Sequence, residues 1–243
     1  MKIKPLAAGK YYPDNKSELL NLFKELKSPP NSSDSWLIIV PHAGFEFIRE
    51  ISIKTYSAVN DTAENVIIFA PATYNLVYGT VTSDAEAFVT PFGKIAIKPY
   101  DTEINNKIFA SETALTVQLP FVKYFYPKAT LTPIIYGCED YKNIAKIIEN
   151  EIDKSLIIIS SNLSRFLPER EALKLDDQTS RMIERKQTED FDNELADGAV
   201  GICGAIEFAK KHNLNFIRTG YTNSAKTNGD TSNVVGYSGW YLA

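Results

Sequence analysis

Four segments of the chain carry nearly continuous apolar runs rich in β-branched residues: WLIIV at 36–40, NVIIFA at 65–70, TLTPIIYG at 130–137 and SLIIIS at 155–160. Each is cut off by turn-forming residues. A half-exposed strand would alternate apolar and polar positions, so runs of this kind predict strands covered on both faces. Amphipathic stretches lie between them. In SELLNLFKELK, Leu19, Leu20, Phe23 and Leu26 share one helical face behind Ser17 as N-cap, and in DYKNIAKIIENEI, Ile144, Ile147 and Ile148 form a stripe. The polar SPPNSSDS between the first helix and the first strand is a loop.

Alternation of buried strands with amphipathic helices predicts an α/β fold, a single-domain layered sandwich over residues 1–243 with helices on both faces of a central sheet. From YGTVTS to FGKIAIKP, two or three short strands follow one another without a helix, which predicts a hairpin and makes the sheet mixed. LNFIRTGYT and NVVGYSGWYLA read as two last strands joined by the polar loop NSAKTNGDTS. No internal repeat stands out.

Composition narrows the function classes. With 44% hydrophobic and 23% charged residues in 243, a sizeable core forms without disulfides or metal staples. A net charge of −4 without a run of Lys or Arg argues against a nucleic-acid partner, because displacing counterions from phosphates needs a basic face. The N-terminal MKIKPLAAGKYYP lacks the apolar run of a signal peptide and no later segment is long enough to span a membrane, so a soluble, cytoplasmic protein with no membrane partner is expected. Cys138 and Cys203 stand apart and are expected as reduced thiols, with Cys138 buried.

In open α/β sheets, ligands bind outside the carboxyl ends of strands. That rule picks out PHAG, PATYN, GCED and SNLSRF, which deliver His42, Thr73, Tyr74, Cys138, Asn162, Ser164 and Arg165. His42 also reads as a buried ring capping a strand end, His212 as a helix-terminal cation, and the aromatics of PFVKYFYP as packing.

LAAGKYYP, PHAGFEF, APATY, TPFG, TALTVQLPF, SSNLSRF, CGA, YTNS and VVGYSG, in this order and spacing, resemble the Memo family, and the resemblance spans nearly the whole chain. It implies a fold similar to class III extradiol-type nonheme iron dioxygenases and a pocket that gathers histidines, acids and a cysteine. His42, Cys203 and Glu112 match that set. Thr73 and Thr113 stand where the family has histidines, Asn162 where it has an acid, and Arg165 where it has another histidine. An open catalytic metal site takes about three protein ligands, and threonine cannot replace imidazole. The expectation is therefore a degraded metal site with no cofactor, although weak Fe, Cu or Zn binding stays open. The pocket is expected to bind a small polar or anionic molecule through Thr73, Glu112, Thr113, Asn162, Arg165 and Tyr221. If the resemblance holds, Cys203 faces His42, and the imidazole would lower the thiol pKa. The alternatives are an enzyme, either a metal-dependent oxidoreductase or a Cys203–His42 hydrolase, and a protein-interaction module.

Overall fold

The computed structural model describes residues 1–24, 34–59 and 62–243. The chain begins with β1 (Lys2–Ile3), α1 (Lys16–Lys24), β2 (Leu37–Val40), α2 (Phe45–Ser57) and β3 (Asn65–Pro71). Short strands β4 (Thr80–Thr82), β5 (Ala87–Thr90), β6 (Gly93–Ala96) and β7 (Glu103–Ile104) follow, then α3 (Thr113–Thr116) and α4 (Leu119–Phe125). The second half runs through β8 (Thr130–Tyr136), α5 (Tyr141–Glu151), β9 (Leu156–Ser160), α6 (Glu169–Glu184) and α7 (Ala199–His212). It closes with β10 (Phe216–Asn223), α8 (Ala225–Asn228) and β11 (Gly236–Leu242).

The four apolar runs are β2, β3, β8 and β9, and they form the parallel centre of an eight-stranded sheet ordered β10-β11-β2-β9-β3-β8-β4-β7. Their residues divide by pleat. Ile38, Val40, Val66, Ile68 and Ile158 join a core with α1 to α4, while Leu37, Ile39, Ile67, Phe69, Ile157 and Ile159 join a core with α5 to α7. Each of these side chains stabilises the fold by about 1.5–3 kcal/mol relative to exposure. Coverage on both faces is the physical reason these strands read as unbroken apolar runs. The sheet is mixed, as expected, because β11 and β4 run antiparallel to their central neighbours.

The hairpin exists as β5–β6, but it belongs to a separate three-stranded sheet with β1, while β4 pairs with β8 and β7 in the main sheet. The cap of α1 is Asn15 rather than Ser17: its Oδ1 accepts from the Ser17 and Glu18 N–H groups. Leu26 lies outside the described residues. Cys138 is exposed, not buried, because Cys138 sits in the turn that ends β8. NSAKTNGDTS includes the short helix α8. Among the described residues, no helix is long and apolar enough to cross a membrane.

Candidate functional site

β2 and β9 are parallel neighbours in register, Val40 opposite Ser160, so PHAG and SSNLSRF leave the sheet side by side. Asn162 joins them. Its Oδ1 accepts from the His42 N–H at 2.9 Å and its Nδ2 donates to the His42 carbonyl at 2.9 Å, as a facing strand would. Asn162 is therefore committed to the backbone of His42.

A third segment completes the cluster. Gly198 precedes α7, and a Cβ there would lie 2.5 Å from Ser161 Cβ and 2.9 Å from the Ser160 carbonyl, so only glycine lets α7 begin this close to the end of β9. That approach delivers Asp197. Its Oδ2 lies 3.1 Å from His42 Nε2, and its Oδ1 accepts from the Asn162 N–H at 2.8 Å and from Ser161 Oγ at 3.3 Å. Arg165 Nη1 stands 3.9 Å from the same carboxylate. Burial pushes the Asp197 pKa upward, but His42, the Asn162 N–H and Arg165 outweigh it and hold the carboxyl below its ordinary value. The other ring nitrogen of His42, Nδ1, lies 3.1 Å from Ser160 Oγ, so both nitrogens are engaged within the protein. His42 is 8% exposed.

Glu112 and Thr113 start α3, which touches the same strand ends through the Ala114 carbonyl, an acceptor from Ser160 Oγ. The Glu112 carboxylate is fully buried. It accepts from the Thr73 N–H at 2.9 Å, the Tyr74 N–H at 3.2 Å and Asn75 Nδ2 at 2.6 Å, fixing the loop after β3. Thr73 itself is exposed, and the Tyr11 hydroxyl nearby has its pKa raised, first by burial and then by Tyr74, with Thr113 acting in the opposite direction. The Tyr221 hydroxyl donates to Asp176 Oδ2 at 2.7 Å, and Asp176 Oδ1 accepts from the Ser164 N–H at 2.8 Å.

Cys203 does not join them. It lies inside α7, in the core shared with α5, and burial first, then Glu207, pushes its thiol up to about 12. The expected Cys203–His42 pair is not formed, because the side chain that meets His42 is Asp197. Asp197 was not among the residues picked out from the sequence. Its signal was an acid followed by glycine at the start of a helix, in the same segment as Cys203–Gly204.

The resemblance to nonheme iron dioxygenases implies a particular donor set. A nonheme iron centre takes two histidines and a carboxylate with open positions. Here His42 and Asp197 hydrogen-bond directly to each other, Glu112 is turned to N–H donors, and the permanent cation of Arg165 stands alongside. These residues do not fit such a centre. Among the described residues, no group of three or more His, Cys, Asp or Glu is placed to hold a metal ion. A cavity of about 980 Å³ opens between Gly9–Asp14, α2 and the Tyr221 and Lys226 region, and His42 does not line it.

The family model for Memo-like proteins matches residues 4–241. The chain belongs to the Memo family. It is similar to a MEMO1 family protein of Aquifex aeolicus, 29% identical over 97% of each chain. MEMO1 family proteins of Archaeoglobus fulgidus and Methanobrevibacter smithii are 25% and 27% identical, again over 97% of each chain. Family membership thus rests on the whole length of the fold and not on the site residues alone.

Proposed function

We propose that this Memo family member binds a small anion at the carboxyl ends of β2 and β9, with Arg165 as the contacting charge and with no resident metal. The observation that carries the reading is the state of Arg165. Its side chain is 37% exposed, and among the described residues one of its five N–H donors is hydrogen-bonded, from Nη2 to the Asn193 carbonyl at 3.2 Å. A fork of this kind matches carboxylate or phosphate oxygens. His42, Asp197 and Asn162 hold one another beneath it and set the position of the loop that carries it.

The test is calorimetric titration of tag-free protein with acetate, inorganic phosphate and sulfate, repeated on Arg165→Gln. Saturable binding of at least one anion, weakened tenfold or more in the variant, is expected. Absence of binding, or equal binding by the variant, overturns the anion reading. Elemental analysis of the same preparation, made without chelators, tests the second half: stoichiometric iron, copper or zinc would refute it.

A second reading, a protein-interaction module, has one observation in its favour. Tyr74, Leu76, Tyr78 and Phe166 are exposed on the loops that follow β3 and β9.

A further inference from the structure

The Ser160 hydroxyl has one proton to donate and two lone pairs to accept with. Its surroundings assign all three. The Ala114 carbonyl can only accept, so the Ser160 proton goes there. Gln118 Nε2 lies 2.9 Å from the Pro41 carbonyl and 3.0 Å from Ser160 Oγ, while Gln118 Oε1 accepts from the Tyr56 hydroxyl at 3.0 Å. A flipped amide would set Oε1 against the Pro41 carbonyl, so Nε2 is the donor to Ser160. One lone pair of Ser160 remains, and His42 Nδ1 stands 3.1 Å from it. Ser160 and Gln118 are fully buried and Tyr56 is 1% exposed, so none of these groups has water to pair with in place of its protein partner.

We infer that Ser160 and Gln118 are positioning residues that hold a hydrogen on His42 Nδ1, so that with Asp197 ionised the ring donates from both nitrogens and is positively charged. A neutral ring with Nδ1–H would point the lone pair of Nε2 at the Asp197 carboxylate, 3.1 Å away. A neutral ring with Nε2–H would set its Nδ1 lone pair against a hydroxyl whose proton is already given to Ala114.

Two consequences follow for the site. His42, Asp197 and Arg165 together carry one net positive charge, which selects a monoanion over a cation. Both N–H groups of His42 are used internally, so the ring acts on the site through Asp197 and not by touching a ligand. The charge assignment deepens the anion reading but is measured without a ligand, so the two can fail separately.

The test is long-range proton–nitrogen NMR on uniformly ¹⁵N-labelled full chain. With only two histidines, His212→Gln assigns the His42 signals by subtraction. Both His42 nitrogens are expected in the protonated range in the unmodified chain, and Nδ1 is expected to move toward the unprotonated range in Ser160→Ala and to return in Ser160→Thr. An unprotonated Nδ1 in the unmodified chain overturns the inference whether or not any variant folds. A Nδ1 resonance unchanged in folded Ser160→Ala overturns the positioning role.

Discussion

Two cysteines with opposite surroundings give the residue scale its plainest contrast. Cys203 is packed inside α7 with its pKa pushed up to about 12, first by burial and then by Glu207, while Cys138 is exposed. The thiolate is the reactive species, so at pH 8 iodoacetamide is expected to label Cys138 in the native protein and Cys203 only after unfolding, as mass spectrometry of the alkylated peptides would show. Faster labelling of Cys203 would revive a nucleophilic role. Asp197 makes the second case. Its folded-state pKa is lowered from the ordinary 3.8, so its stabilisation is fully present above that value and is lost as the pH falls through the lower folded-state value. Asp197→Asn is expected to cost on the order of 3 kcal/mol in urea unfolding at pH 7, because it breaks a buried pair and strands His42, and the cost should shrink below pH 3.8. Asp176 works the other way. Burial raises its pKa against the hydrogen bonds from Tyr221 and Ser164, so its contribution declines as the pH rises from 3.8 through the raised value. A pH-independent penalty for Asp197→Asn would contradict the assignment of Asp197 as the ionised partner.

Helices α5 and α7 show how an element is placed by a single missing methyl group. They pack tightly at Gly204, where a Cβ would come within 2.7 Å of Ile144 Cγ2 and 3.1 Å of the Tyr141 carbonyl. In an isolated helix, Gly→Ala gains about 1 kcal/mol from propensity. Overpacking a tight helix pair costs about 1–3 kcal/mol, and here the carbonyl cannot turn away as a flexible side chain can. Gly204→Ala is therefore expected to lower the melting temperature, and a rise would mean that the propensity gain outweighs the clash. The same helix brings Asp197 to the site, so this variant should also weaken any anion binding that Arg165→Gln weakens. Most elements were legible because their patterns are local: β2, β3, β8 and β9 from continuous apolar runs, and α5 from the stripe of Ile144, Ile147 and Ile148. The cap of α1 was misplaced because Asn15 and Ser17 are both good caps, and only the observed N–H partners separate them.

At the scale of the whole molecule, one sheet divides two cores, and the loops at the carboxyl ends of its parallel strands carry the site. The sequence by itself determined the α/β class, the central strands, the family, and that His42, Asn162 and Arg165 lie on loops that leave strand ends. The class and the strands follow from chain periodicity, the loop positions from residue types at short spacing, and the family from the resemblance of ordered motifs along the chain, none of which needs knowledge of distant neighbours in space. Only the tertiary structure decided which side chains meet. Asp197 is 155 positions from His42, and Ser160 is 46 from Ala114, so no local pattern reports either contact. Tertiary packing also removed Cys203 from the site, because a helix that begins at Gly198 carries Asp197 to the strand ends and turns Cys203 into the core behind them. The physical reason is range: backbone preference and amphipathicity act over a few residues, whereas the pairing of buried donors and acceptors is settled only when separate elements are packed together.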